Sequence, residues 1–363
     1  MDNLIIEHEE ILSFNKILRN WYIINQRNLP WRATSDPYKI WLSEIILQQT
    51  RVAQGLPYYE KFVGTFPTVK DLALADERDV LRLWQGLGYY SRARNLHVTA
   101  KKIHEEFKGV FPADFKILMT LKGLGEYTAA AIASFAFNIA VPAIDGNVYR
   151  VLSRIFGVYS DTLSSTGKKE FFRLGQRLIP RDNPATYNQA MIEFGALLCT
   201  PVAPDCGICP FQSRCFAYLH NEQGNLPVKI KKLKVKQRFI NYLVVSQHGK
   251  LAMNERVEKG IWHGLYDFPS IETDHAIDTV DDFPESKLLF NLVENSQIGS
   301  ISRMYKHILT HQKLMVKFWT IHLKDQVAMD ALQFLAHFYS PTEIEDLPKP
   351  IIIDQYLKEE GLI

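Results

Sequence analysis

Asp114-Phe-Lys-Ile-Leu-Met-Thr-Leu121-Lys-Gly123-Leu-Gly125-Glu-Tyr127-Thr-Ala-Ala-Ala-Ile-Ala-Ser-Phe-Ala-Phe137 is the stretch from which the fold is read. A short apolar helix runs into Gly-Leu-Gly, and a helix of small residues leaves it. The two glycines permit a tight hairpin whose backbone N–H groups face outward at the start of the second helix. Amides at a helix N-terminus form an anion site, here suited to a phosphate of a nucleic acid backbone. Lys122, Gly123 and Gly125 are its candidate residues. The same residues would also make an ordinary αα-hairpin, with glycines only for the turn.

Working outward, Pro142-Ala-Ile-Asp145-Gly-Asn147-Val-Tyr-Arg150 follows. Asp before Gly-Asn-Val is a natural helix N-cap. It is equally a candidate catalytic carboxylate, with Asn147 beside it. Further on stand Cys199, Cys206, Cys209 and Cys215, spaced C-x6-C-x2-C-x5-C, and the chain has no other cysteine. All its sulfur ligands fall in one short loop, which points to one metal site. Structural zinc sites usually pair their thiolates as two CxxC knuckles, and this loop has only one short pair. One short pair with two flanking thiolates suits wrapping a [4Fe-4S] cube. Zinc and a pair of disulfides are the alternatives.

Residues 1–220 read as helical. Apolar positions recur at three and four in Ile11-Leu12-Phe14-Ile17-Leu18-Trp21 and in Trp41-Ile45-Ile46. Breaks are expected at Pro30, Pro57, Pro67, Pro112, Pro142, Pro180 and Pro201. Residues 221–238 form a polar, basic linker, ending Val228-Lys-Ile-Lys-Lys-Leu-Lys-Val-Lys-Gln-Arg238. Phe239-Ile-Asn-Tyr-Leu-Val-Val245 then reads as a strand, His248-Gly249-Lys250 as a turn, and Leu251-Ala-Met253 and Leu314 to His322 as further strands. The expected architecture is a mostly α domain over 1–220 and a smaller α+β domain over 239–363.

The chain's 363 residues suffice for two cores. Net charge is only +2, with the positive excess in residues 1–230 and a slight negative one beyond. Composition alone therefore does not announce a nucleic-acid binder. Met1-Asp2-Asn3-Leu4 has no basic region followed by an apolar run, and no stretch approaches eighteen uninterrupted apolar residues. The expectation is a cytoplasmic protein (nucleoid-associated if bacterial), with no membrane partner.

A hairpin, an Asp after a Pro and a four-cysteine loop, in this order, resemble the helix–hairpin–helix DNA glycosylases of the endonuclease III type. Two further segments sharpen the resemblance to the MutY family of adenine DNA glycosylases. One is Leu29-Pro-Trp31-Arg32 followed by Asp36-Pro-Tyr38 and Trp41-Leu-Ser43-Glu44-Ile-Ile-Leu47-Gln48-Gln49-Thr50-Arg51-Val52. The other is Gln85-Gly-Leu87-Gly-Tyr89-Tyr90-Ser91-Arg92. The match is dense over about residues 20–220 and thinner beyond. It carries expectations of an enzyme with a [4Fe-4S] cluster, acting as a monomer on double-stranded DNA with adenine opposite 8-oxoguanine.

The resemblance assigns roles. Strand-cutting relatives carry a lysine two residues after the hairpin's last glycine, and its amine forms a Schiff base. Here Tyr127 stands there, which implies base removal with the strand left intact. Glu44 would protonate adenine and later activate water, its apolar neighbours raising its pKa. Asp145 would stay ionised and stabilise the sugar cation, the logic of glycoside hydrolysis. Tyr127 would bridge the two carboxylates. Because the base must leave the stack, Gln49 would fill the gap, with Tyr89 wedged beside the partner base and Leu87 in the same turn. Arg27, Trp31 and Leu47 would line the adenine pocket, and Arg32, Gln48 and Thr50 are further substrate-binding candidates. Gln189 would read the adenine edge.

The second domain resembles a Nudix fold without the Nudix catalytic run: Gly260-Ile-Trp262-His-Gly264-Leu-Tyr266-Asp-Phe268-Pro269 is followed by no Arg-Glu-x-x-Glu-Glu. That implies a recognition module. Leu309-Thr310-His311 stand where relatives carry Phe-Ser-His to read 8-oxoguanine, so Thr310 and His311 are assigned that contact. Relatives also place basic residues between the first two cysteines, whereas here the segment is Thr200-Pro-Val-Ala-Pro-Asp205. Two other functions stay open: a bifunctional glycosylase/lyase and a non-catalytic iron–sulfur DNA-binding protein.

Overall fold

The structure, a computed structural model, describes residues 6–230, 235–284, 296–309, 311–324 and 337–363. The chain divides into two compact units. One is Met1–Leu74 with Asn95–Lys231, and the other is Ala75–Arg94 with Lys232–Ile363.

Helices α1 (His8–Asn25), α2 (Pro37–Leu47), α3 (Val52–Thr65), α4 (Val69–Leu74), α5 (Glu77–Trp84) and α6 (Ser91–Glu106) precede the hairpin. Helices α7 (Phe115–Met119) and α8 (Glu126–Phe137) form it. Helices α9 (Gly146–Phe156), α10 (Ser165–Leu178), α11 (Pro184–Leu197) and α12 (Phe216–Leu219) follow. Starts are marked by sequence: Asp36 caps α2 through Tyr38 N at 2.9 Å, Asp114 caps α7, and Asn183 caps α11 ahead of Pro184. The first unit's core lies between α1, α9, α10 and α11, with Phe14, Leu18, Val151, Phe171 and Phe194 at its centre. Helix α8 is buried without a break from Thr128 to Ser134. Its small side chains let α2 and α11 pack closely against it.

Pro57 does not break the chain. It sits inside α3, where Gly55, Tyr59 and Phe62 are buried. A proline in a helix interior costs about 3 kcal/mol, and burying that apolar face outweighs it. The other six expected breaks fall at helix starts or between helices.

In the second unit the strands are β1 (Lys236–Gln247), β2 (Lys250–Glu255), β3 (Tyr266–Asp267), β4 (Ser270–Thr273), β5 (Ser296–Ile301), β6 (Tyr305–Ile308), β7 (Gln312–Leu323) and β8 (His337–Tyr339). The sheet runs β3-β2-β1-β7-β5, with β4 on β1, β6 on β7 and β8 on β2. Its spine is the parallel pair β1–β7, in register from Lys236↔Gln312 to Ser246↔His322. His248 and Gly249 both have positive φ, 48° and 72°, and join β1 to β2 as a two-residue turn. Helices α13 (Pro341–Asp346) and α14 (Ile351–Glu359) close the unit.

The reading from sequence kept 1–220 together, but residues 75–94 cluster with the second unit. Arg94 Nη1 donates to His263 O at 2.5 Å, and Lys349 N donates to Gln85 Oε1 at 3.3 Å. A helical period does not record which body a helix joins.

Candidate active site

In the first unit residues of α2, α8, α9 and α11, with the segments on either side of α2, line a cavity of about 840 Å³. Glu44, Tyr127, Asp145 and Asn147 line it, as do Arg27, Trp31, Arg32, Leu47, Gln48, Gln49, Thr50 and Gln189. The structure therefore gathers residues that lie up to 162 positions apart in sequence.

Glu44 is the only acidic residue of α2, whose Trp41, Leu42, Ser43, Ile45 and Ile46 are all buried. Burial pushes its carboxyl up to about 7. A hydrogen bond from Tyr127 opposes the rise, the Asp145 charge adds to it, and Arg32 opposes it. Tyr127 sits in the first turn of α8. Burial and the two carboxylates hold its phenol well above the usual range, so it remains a donor. The hydrogen bond runs to Glu44, while Asp145 acts on Tyr127 through charge alone.

Asp145 is the helix N-cap that its sequence allowed, and it also lines the cavity. It caps α9 through Asn147 N at 2.9 Å and Val148 N at 2.8 Å. Asn147 Nδ2 donates to its other oxygen at 2.7 Å. Burial raises its pKa, against these three donors and the Arg150 charge, which lower it.

Arg27 and Arg32 converge on Glu193, which is fully buried. Arg27 gives Nη2 at 2.6 Å, and its Nε and backbone N at 2.9 Å each. Arg32 gives Nη1 at 2.8 Å and Nη2 at 2.7 Å. Burial would raise the Glu193 carboxyl, but these hydrogen bonds win and hold it at about 2. The two arginines are thus pinned wall. Trp31 is buried against Tyr59, with ring centroids 5.1 Å apart. Gln48 Nε2 donates to Thr128 Oγ1 at 3.2 Å, tying the end of α2 to α8. Gln49 is exposed at the tip of the next turn with φ 56°. Thr50 N closes that turn on Leu47 O at 3.1 Å.

The HhH-GPD superfamily of base excision DNA repair proteins matches residues 42–180, and the NUDIX domain family matches residues 241–359. An adenine DNA glycosylase of Buchnera aphidicola is 35% identical over 302 residues, covering 83% of this chain and 86% of that one. The chain belongs to the MutY family of adenine DNA glycosylases. These family members are hydrolases acting on N-glycosyl bonds. The mouse adenine DNA glycosylase is 32% identical over 365 residues, covering 84% of this chain and 70% of that one. Among solved structures, a trapped endonuclease III–DNA covalent intermediate shares the fold, with a TM-score of 0.52 and 21% identity over 60% of this chain and 99% of that one.

The hairpin of this glycosylase separates its two glycines by role. Gly123 has φ 83°, and a Cβ there would meet Asn95 Cβ at 2.8 Å, so a side chain is excluded twice over. Gly125 has an ordinary φ of −83° and nothing within 4 Å of a Cβ. Its space is open at the N-terminus of α8. Lys122 is exposed, and its carbonyl accepts from Thr99 Oγ1 at 2.7 Å.

The other family assignments fall in the second unit. Leu87 is buried, while Tyr89 is 44% exposed with φ 48°. His311 is exposed at the tip of the β6–β7 hairpin, which Leu309 N closes on Gln312 O at 2.8 Å. Thr310 lies outside the described residues.

All four cysteines are free and partly buried, and Cys199, Cys209 and Cys215 pack against the helical core. Burial pushes the Cys209 thiol up to about 11, and the neighbouring sulfurs add to the rise. Among the described residues no group of three or more His, Cys, Asp and Glu side chains is placed to hold a metal ion. No basic residue lies between the first two cysteines, but α9 supplies two from outside. Arg154 is 3% exposed; its Nη1 meets Cys199 Sγ at 3.4 Å and Thr200 O at 2.8 Å. Arg150 Nε donates to Cys199 O at 2.6 Å. Reading the sequence missed both, and missed Glu193. For Glu193 one signal existed: an acid set among Ala190, Met191 and Phe194 in an apolar helix.

Among the described residues no helix is long and apolar enough to cross a membrane.

Proposed function

We propose that this chain excises adenine opposite 8-oxoguanine in double-stranded DNA and leaves the strand intact. The observation that carries the reading is one cavity holding a carboxyl raised to about 7 and a second carboxylate clamped by three donors. N-glycoside cleavage asks for this pair. Glu44 enters protonated and donates to adenine N7, so the C1′–N9 electrons leave with a neutral base. The sugar becomes oxocarbenium-like, and ionised Asp145 stabilises it. Glu44, now a carboxylate, takes a proton from the water that adds at C1′. Tyr127 supplies a hydrogen bond and no amine, so no Schiff base forms and no β-elimination follows.

Gln49 and Tyr89 both stand exposed in left-handed backbone, which costs an ordinary residue about 1 kcal/mol or more. Such strain suits side chains presented to a flipped-base gap and its partner base. The open space at Gly125 suits a phosphate. His311, with Thr310, would read 8-oxoguanine. Cys199, Cys206, Cys209 and Cys215, four free thiols in one short loop, fit the donor set of a [4Fe-4S] cluster and would hold it. The cluster would brace the loop against α9; the chemistry at the sugar belongs to the carboxylates. The protein would act as a monomer wherever DNA is held, in a bacterium at the nucleoid.

The test is an end-labelled duplex with adenine opposite 8-oxoguanine, scored before and after alkali. Breaks only after alkali support the proposal. Breaks without alkali support a lyase, and binding without base loss supports a non-catalytic DNA-binding protein.

A further inference from the structure

Tyr22 stands behind the cavity wall. It is 3% exposed on α1 and belongs to the core with Phe14 and Leu18. It is not among the residues lining the cavity, but Gln189 is. The Tyr22 hydroxyl donates to Gln189 Oε1 at 2.9 Å. The phenol is itself immobilised. The Arg32 guanidinium lies over its ring, 5.8 Å from the centroid, and Glu193 grips that guanidinium. A side-chain amide is nearly symmetric in shape and opposite in chemistry at its two ends. Which end faces the cavity is therefore decided by what holds the other.

We propose that Tyr22 is a specificity-determining positioning residue, fixing the Gln189 amide and with it the order of donor and acceptor offered to the base. The proposal rests on the reading of Gln189 as a contact to the adenine edge. Adenine presents an acceptor at N1 beside an amino donor at N6. Hypoxanthine has the same outline and the reverse order, a donor at N1–H beside an acceptor at O6. An amide held one way pairs with the first and sets donor against donor on the second. An amide free to rotate half a turn accepts either. Discrimination between the two bases then depends on a hydroxyl that touches neither.

The experiment uses Tyr22→Phe, Gln189→Ala and the double variant. Single-turnover excision of adenine and of hypoxanthine is measured, each opposite 8-oxoguanine at fixed salt. Tyr22→Phe keeps the ring in the core, and thermal unfolding checks that it folds. The expected result is an adenine-to-hypoxanthine ratio that narrows about tenfold, the scale of one hydrogen bond. Adenine excision slows while hypoxanthine excision holds or rises, and the double variant matches Gln189→Ala. A purely structural role for Tyr22 would slow both bases equally and leave the ratio unchanged, which overturns the proposal. If Gln189→Ala alone shifts the ratio and Tyr22→Phe does not, the contact stands and the positioning role falls. If Gln189→Ala leaves the ratio unchanged, the reading of Gln189 falls and the proposal with it.

Discussion

Arg150 donates through Nε to the carbonyl oxygen of Cys199 at 2.6 Å. Its Nη2 donates to Asn147 Oδ1 at 2.8 Å, and Asn147 Nδ2 donates in turn to Asp145 Oδ2 at 2.7 Å. One guanidinium thus joins the first cysteine of the loop to the carboxylate in the cavity. It also satisfies Gly195 O at 2.6 Å and Gly146 O at 3.2 Å, while only 7% exposed.

Arg150→Gln should therefore act on both ends. Gln cannot reach four acceptors, and each buried group left unsatisfied costs about 1–3 kcal/mol. A drop in melting temperature, iron lost from purified protein and slower adenine release are expected together. Calorimetry, iron analysis and single-turnover kinetics check them. Unchanged iron content and unchanged excision would break the proposed link.

Glu44→Gln should abolish base release while duplex binding stays near wild type, because it removes a proton and barely changes shape. General acid catalysis contributes about 10²- to 10⁴-fold. Wild-type activity should fall as pH rises through about 7, where the carboxyl loses its proton. Stability follows the same proton. The folded pKa lies above the ordinary carboxyl value of 4.5, so the folded state binds the extra proton between 4.5 and about 7, and stability declines across that window as pH rises. Gln mimics the protonated form. The variant should melt higher than wild type at pH 8 and close to it at pH 4.5.

Glu193→Gln should destabilise. It strands two guanidinium groups on a neutral amide, and breaking a buried pair costs about 3–5 kcal/mol. In wild type the depressed carboxyl adds stability that is complete above the unfolded value of 4.5 and lost as pH falls toward about 2. The variant's stability deficit should therefore shrink in acid. A deficit that is constant from pH 6 to pH 2.5, followed by urea unfolding, would mean the arginines are held by something else.

What the sequence made legible was local. Asp145 capping α9, Gly123 turning the hairpin and His248-Gly249 joining two strands each depend on residues within three positions. Glu44 was assigned by resemblance, and its apolar neighbours in α2 supplied the physical reason for a raised pKa. The unread part is made of partners far apart in the chain. Tyr22 meets Gln189 across 167 positions, and Arg27 meets Glu193 across 166. Periodicity says that such groups are buried, not which polar atoms they find. The cysteine loop has no basic residue between its first two cysteines, and Arg150 and Arg154 reach it from α9, a distant part of the chain.

Tyr127→Lys should add a lyase step. Tyr127 occupies the first turn of α8 and lines the cavity together with Glu44 and Asp145. A lysine there places an amine near the C1′ position that the proposed mechanism attacks. Burial lowers the pKa of a lysine and leaves more of it neutral and nucleophilic, while Glu44 and Asp145 pull the other way. Partial activity is the expectation. Borohydride should trap a fraction of the variant on DNA, and some breaks should form without alkali. Base release itself should slow, because Glu44 loses the hydrogen bond from the phenol. Trapping should be absent in wild type under the same conditions. A wild-type adduct would overturn the monofunctional reading, whatever the variant does.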